Sequence, residues 1–209
     1  MIPVKVLAVR YLANASPALA EGLGAPKGYP SLAMLTTDCD DATYIALDAA
    51  TKAADVKVSY GRSFYAGAAN ASTPNAGEVI GILAAATPGA ARSGMEAALS
   101  TLGRVGFEEV NGVPYLAHTV SSVGSFLAAE AGVRQGSAIA YLIAPPLEGM
   151  YAMDAALKAA DVKLCKLYAP PSETNFGGGL LSGTQSACDA ACAAFAAAVA
   201  EVAARPIES

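Results

Sequence analysis

DAATKAADVK, at Asp48–Lys57, returns as DAALKAADVK at Asp154–Lys163, with Thr51 against Leu157 the single difference. The copies lie 106 residues apart in a chain of 209, so the repeat divides the chain into two units, each the size of a small domain. We place their boundary at 107/108. Asp48 with Lys52, and Asp154 with Lys158, stand in the favourable i,i+4 order of an exposed helical pair, worth only about 0.2–0.5 kcal/mol each. The alanines between them permit close packing. The phrase therefore reads as scaffold.

Working outward, Ser31–Thr37 (SLAMLTT) reads as a buried strand, with a helix over about Asp41–Ala54 and a strand at Val56–Tyr60. Further strands are expected near Ser63–Ala66 and Gly77–Ala85, then a helix over Pro88–Leu102 whose proline suits a first turn. The second half repeats the order. A strand is expected at Ala138–Ala144, a helix from Pro145, a strand at Val162–Tyr168, and a closing helix over Thr184–Ala204 that Pro206 stops. Strands and helices mix in both halves, which gives the α/β class, as an α+β sandwich.

Composition narrows the functions. Hydrophobic residues make up 54% and charged residues 15%, with mean hydropathy +0.41, which excludes a disordered chain. Apolar surface beyond core needs points to subunit contacts. The longest apolar helical run, Ala190–Ala200, is mostly alanine between Asp189 and Glu201, and reads as too short to cross a membrane. Lys5 and Arg10 interrupt the N-terminal apolar stretch, so no signal sequence is read there. Four cysteines without disulfide spacing suit the cytoplasm. The net charge is −5, with eight basic and eight acidic side chains in residues 1–107 and five against ten in residues 108–209. No basic patch for nucleic acid exists.

Chemistry is expected where the copies differ. Asp40 and Asp41 correspond to Pro146 and Leu147, so one copy alone starts its helix with carboxylates. They serve either as an N-cap (Asp40) and a dipole complement (Asp41), worth about 1 kcal/mol, or as a binding site. The stretch Ala169–Gln185 (APPSETNFGGGLLSGTQ) lacks the GK[ST] of a phosphate loop. Its three glycines read as flexible, for a movable gate or a long connection. His118, with Ser121 and Ser122 close by, lacks an elbow motif and an acid partner. Cys188 and Cys192 lack a second zinc ligand pair. Enzymatic activity, a cofactor and a metal are therefore not expected.

The segments Asp40–Ala69, Ala76–Val79 (AGEV), Tyr115–Ser125 (YLAHTVSSVGS), Ala140–Glu148 (AYLIAPPLE), Pro170–Asn175 (PPSETN) and Gly183–Phe195 resemble the tandem-domain shell proteins of ethanolamine-utilising bacterial microcompartments. The resemblance implies two circularly permuted, ferredoxin-like shell domains and a homotrimer that imitates a hexamer. It also implies tiling with other shell proteins in the cytoplasm, a gated central pore, and small channels that bind ethanolamine. It places the ethanolamine site on Asp40, Asp41, Glu78, Phe107, Ser182, Gly183 and Thr184. Carboxylates would pair with the ammonium while hydroxyl and backbone groups take the rest. Phe107 would add an apolar or cation-π wall. The alternative is a metabolite-binding regulator that uses the same carboxylates without tiling.

Overall fold

A computed structural model describes residues 1–64, 75, 77–170 and 175–207, and in it each copy of the phrase ends a helix and begins the next strand. Helix α2 (Asp40–Ala53) leads into strand β3 (Val56–Ser63), and helix α5 (Pro146–Ala159) into strand β8 (Val162–Tyr168). The chain forms two units. One holds Pro3–Val105 with Gly124–Leu127, and the other Met1–Ile2, Gly106–Val123 and Ala128–Ser209.

In the first unit, β1 (Val6–Leu12), β2 (Ser31–Thr37), β3 and β4 (Val79–Ala85) form an antiparallel sheet in the order β1-β2-β4-β3. Helices α2 and α3 (Pro88–Leu102) pack on each other and on the sheet. A second apolar cluster joins Leu32, Ile82 and Ala84 to Ala20 of the short helix α1 (Pro17–Gly22). The sheet therefore buries apolar side chains on both faces, as the almost unbroken burial of β2 requires.

The second unit repeats this plan with one added strand. Strands β5 (Glu108–Val110), β6 (Val113–Val120), β7 (Ala138–Ala144), β9 (Gly177–Gly183) and β8 form one sheet in the order β5-β6-β7-β9-β8. Helix α4 (Ser125–Ala131) lies between β6 and β7 in sequence, and α5 packs on α6 (Gln185–Ala204). Strand β7 is buried at every residue.

The duplication extends well past the ten-residue phrase. Both sheets carry a register shift at the same place, between Val58 and Tyr60 and between Leu164 and Lys166, so Ser59 and Cys165 bulge 106 residues apart. The turn after α1 bonds the Ala25 amide to the Ala20 carbonyl, and that after α4 bonds Val133 to Ala128. Gly24 and Gly132, with φ of 70° and 64°, hold the same left-handed position in these turns.

Two expectations change. The glycines of 177–179 belong to β9, between β7 and β8, and are not a flexible loop. Each is crowded: an added Cβ would lie 3.1 Å from Pro170 Cγ at Gly177, would collide with the Leu142 carbonyl at Gly178, and would collide with the Lys166 carbonyl at Gly179. Residues 171–174 of the supposed gate, and residues 65 and 66 of the strand expected near Ser63, lie outside the described residues. The closing helix lies where it is expected, but α6, with 20 residues, is long and apolar enough to cross a membrane, against the reading of its apolar run as too short. Its buried stripe, Cys188, Ala191, Cys192, Phe195, Ala198 and Val199, instead forms core of the second unit.

Candidate functional site

The acidic start of α2 is buried, although it is made of charged side chains. Asp40 and Asp41 are 8% and 7% exposed. The N-cap is Cys39, not Asp40, and no side chain caps the helix there. Thr43 donates back to the Cys39 carbonyl at 2.8 Å and shares a 2.7 Å bond with Thr37 Oγ1, which ties the first turn to the end of β2. Asp40 is thereby free for a different role. Its Oδ1 accepts from the Asp41 amide at 2.8 Å, and its Oδ2 accepts from Ser63 Oγ at 2.7 Å. With the serine proton committed to Asp40, Tyr44 donates to Ser63 Oγ at 2.6 Å. A relay of donors therefore runs Tyr44 to Ser63 to Asp40.

Electrostatics mark this corner as short of positive charge. Burial pushes the Asp40 carboxyl above its ordinary value, partly opposed by the Ser63 and Asp41 hydrogen bonds. Glu78 is also raised, first by burial and then by the charges of Asp40 and Asp38. Burial, together with Asp40 and Asp41, takes the Tyr44 hydroxyl to about 12. The Cys39 thiol rises for the same reasons, with Asp41, Asp40 and Glu78 all opposing its ionisation. Carboxylates gathered in a partly dry corner favour a cation. Among the described residues no group of His, Cys, Asp or Glu is arranged to hold a metal ion.

A pH dependence follows with a definite sign. A carboxyl raised in the folded state favours folding fully below its unfolded value, and that contribution is lost as pH rises through the folded value. Urea denaturation of the wild type should therefore lose stability relative to Glu78→Gln as pH climbs from the ordinary carboxylate range towards neutrality. A difference between the two that does not vary with pH would contradict the assignment.

The remaining expected residues lie in the other unit. Ser182 and Gly183 end β9, where Ser182 Oγ donates to the Ala138 carbonyl at 3.0 Å. Thr184 is the N-cap of α6, its hydroxyl accepting from the Ala187 amide at 3.1 Å. Phe107 is half-buried and meets Phe176 edge to face at 5.7 Å, while its carbonyl takes the Ile2 amide at 2.6 Å. Asp40, Asp41 and Glu78 thus share one unit, and Phe107, Ser182, Gly183 and Thr184 the other. Sequence reasoning missed Tyr44 and Ser63. Tyr44 stands one helical turn beyond Asp40 in the sequence, but nothing local places Ser63 beside it.

Other residues have structural settings. His118 lies on β6 opposite Tyr141 of β7. Cys188 and Cys192 are buried in the core of the second unit, where Cys192 Sγ lies 3.4 Å from Thr119 Oγ1. A cavity of about 510 Å³ beside α1, bordered by Glu21, Lys27 and Tyr29, contains none of the expected site residues.

No protein-family model matches the chain. It is 56% identical over 211 residues to the bacterial microcompartment shell protein EutL of Clostridium perfringens, covering 99% of this chain and 97% of that protein. The crystal structure of the ethanolamine utilization protein EutL from Leptotrichia buccalis superposes with a TM-score of 0.95 at 53% identity, covering 100% of this chain and 98% of that one. A trimeric bacterial microcompartment shell protein, PduB, shares the fold, with a TM-score of 0.81 at 19% identity over 96% of this chain and 89% of its own.

Proposed function

The chain belongs to the EutL family of bacterial microcompartment shell proteins, and from that membership we propose that three copies form a trimer imitating a hexamer, a tile with a gated central pore and small channels that bind ethanolamine. The tile takes its place in the microcompartment shell, in the cytoplasm, beside other shell proteins. Its work is passage and selection, without catalysis and without a cofactor.

The observation that carries the ligand reading is the buried acidic corner at Asp40 and Asp41. It is present in one copy of the duplication and replaced by Pro146 and Leu147 in the other. Ethanolamine is an ammonium with a hydroxyl, and an alkylammonium stays charged through the physiological range. Asp40, Asp41 and Glu78 supply the opposite charge. Phe107, Ser182, Gly183 and Thr184 are proposed for the uncharged part of the ligand.

Titration calorimetry tests this. Asp40→Ala and Glu78→Ala should each weaken ethanolamine binding by about 1–3 kcal/mol, the range for losing a charged hydrogen bond away from water. Affinity should also fall as pH drops through the raised carboxyl values. Unchanged affinity in both variants would remove the site from these residues.

A further inference from the structure

We propose that the outer face of α5, at Leu147, Tyr151 and Asp154, is the seat for the Pro17–Gly22 segment of a second copy of this chain. The template is a contact visible inside the first unit. There α2 holds the Gly124–Leu127 segment at the start of α4: Asp48 accepts from the Gly124 amide at 2.7 Å and the Leu127 amide at 2.9 Å. Thr51 Oγ1 accepts from the Ser125 amide at 3.0 Å, and Tyr44 meets Phe126 with ring centroids 5.8 Å apart. Leu127 is consequently 1% exposed.

The duplication supplies a helix and a segment of the same kind a second time, and there the Leu19 amide is capped within its own segment, by Ser16 Oγ at 3.4 Å. A shift of 106 turns Tyr44, Asp48 and Thr51, the α2 residues of that contact, into Met150, Asp154 and Leu157 of α5, and turns Asp41 and Ile45 of the same helix into Leu147 and Tyr151. Met150 and Leu157 pack against the core of the second unit. Asp41, Ile45 and Asp48 are 7%, 4% and 0% exposed, whereas Leu147 and Tyr151 are 63% and 48% exposed and Asp154 is open to solvent. A shift of 108, which the matching turns after α1 and α4 fix, turns Leu127 into Leu19. Leu19 is 45% exposed. Large apolar side chains at positions that the same fold buries elsewhere in the chain mark an interface. The occupant is a second copy because the complementary segment is this chain's own. One surface takes a different surface of the next copy, a head-to-tail contact that makes a ring when the rotation closes. The inference rests on the trimer proposed above and assigns the residues that join it.

Crosslinking tests the assignment. In the template, a Cβ on Gly124 would lie 3.0 Å from Asp48 Oδ1, so the matching positions, Ser16 and Asp154, should bring two cysteines within disulfide reach. Ser16→Cys chains mixed with Asp154→Cys chains and oxidised glutathione should give a covalent two-chain product that neither variant forms alone. Leu147→Lys with Tyr151→Lys should convert trimers to monomers in native mass spectrometry, with an unchanged circular dichroism spectrum. Trimers that persist in that double variant, with no crosslinked product from the mixture, would overturn this surface and leave the trimer standing. A wild type that is monomeric throughout would overturn both.

Discussion

Asp48→Ala is expected to lower the stability of the chain by about 3–5 kcal/mol, whereas Asp154→Ala, at the same place in the duplicated phrase, should change it by less than about 0.5 kcal/mol in the monomer. Asp48 is fully buried and accepts two backbone amides, Gly124 and Leu127, besides a 3.4 Å ion pair with Lys52. Its loss strands both amides and the start of α4, where Gly124 has no side chain to cap with. The reading of Asp48 and Lys52 as a merely exposed pair is thus corrected by the structure. Asp154 matches that reading, since it and Lys158 are both solvent-exposed at 2.6 Å. Urea unfolding followed by circular dichroism separates the two variants. Equal losses would contradict the assignment of Asp48 to α4.

The second large effect is expected at Gly178. Its φ is +153°, and a Cβ there would collide with the Leu142 carbonyl, lying 2.8 Å from the Leu142 carbonyl carbon and 3.0 Å from Ile143 Cα. These are backbone atoms of β7, which the rest of its sheet holds, so no flexible side chain can move aside. Gly178→Ala should cost about 3 kcal/mol or more, or leave no folded protein. Gly136→Ala is the control. Its φ is +85° but nothing lies within 4 Å of the added carbon, so only the left-handed backbone is penalised, by about 1–2 kcal/mol. A Gly178→Ala chain as stable as the control would show that β9 is looser than its packing implies.

These two positions also show what could and could not be read from the residues. Strands β2 and β7 were legible because buried strands write unbroken apolar runs, and α3 because Pro88 and the apolar spacing bracket it. Strands β1 and β6 were not, since Arg10 breaks one run and Pro114 and His118 the other. The glycine run has the composition of a loop; its pairing with β7 on one side and β8 on the other makes it a strand. Asp48 and Asp154 sit in almost identical ten-residue contexts, and their opposite fates depend on a segment 76 residues beyond Asp48. The carboxylates of the candidate site were visible as an asymmetry between copies. The Tyr44 to Ser63 to Asp40 relay was not, because β3 must fold back on α2 to create it.

In the proposed trimer the duplication builds a ring from fewer chains, and the proposed binding chemistry lies where the copies diverge. Native mass spectrometry of the wild-type chain tests this most directly. It should give a closed species of three times the 20.8 kDa chain, persisting on dilution into the low micromolar range. A chain that is monomeric at every concentration would contradict the proposed trimer.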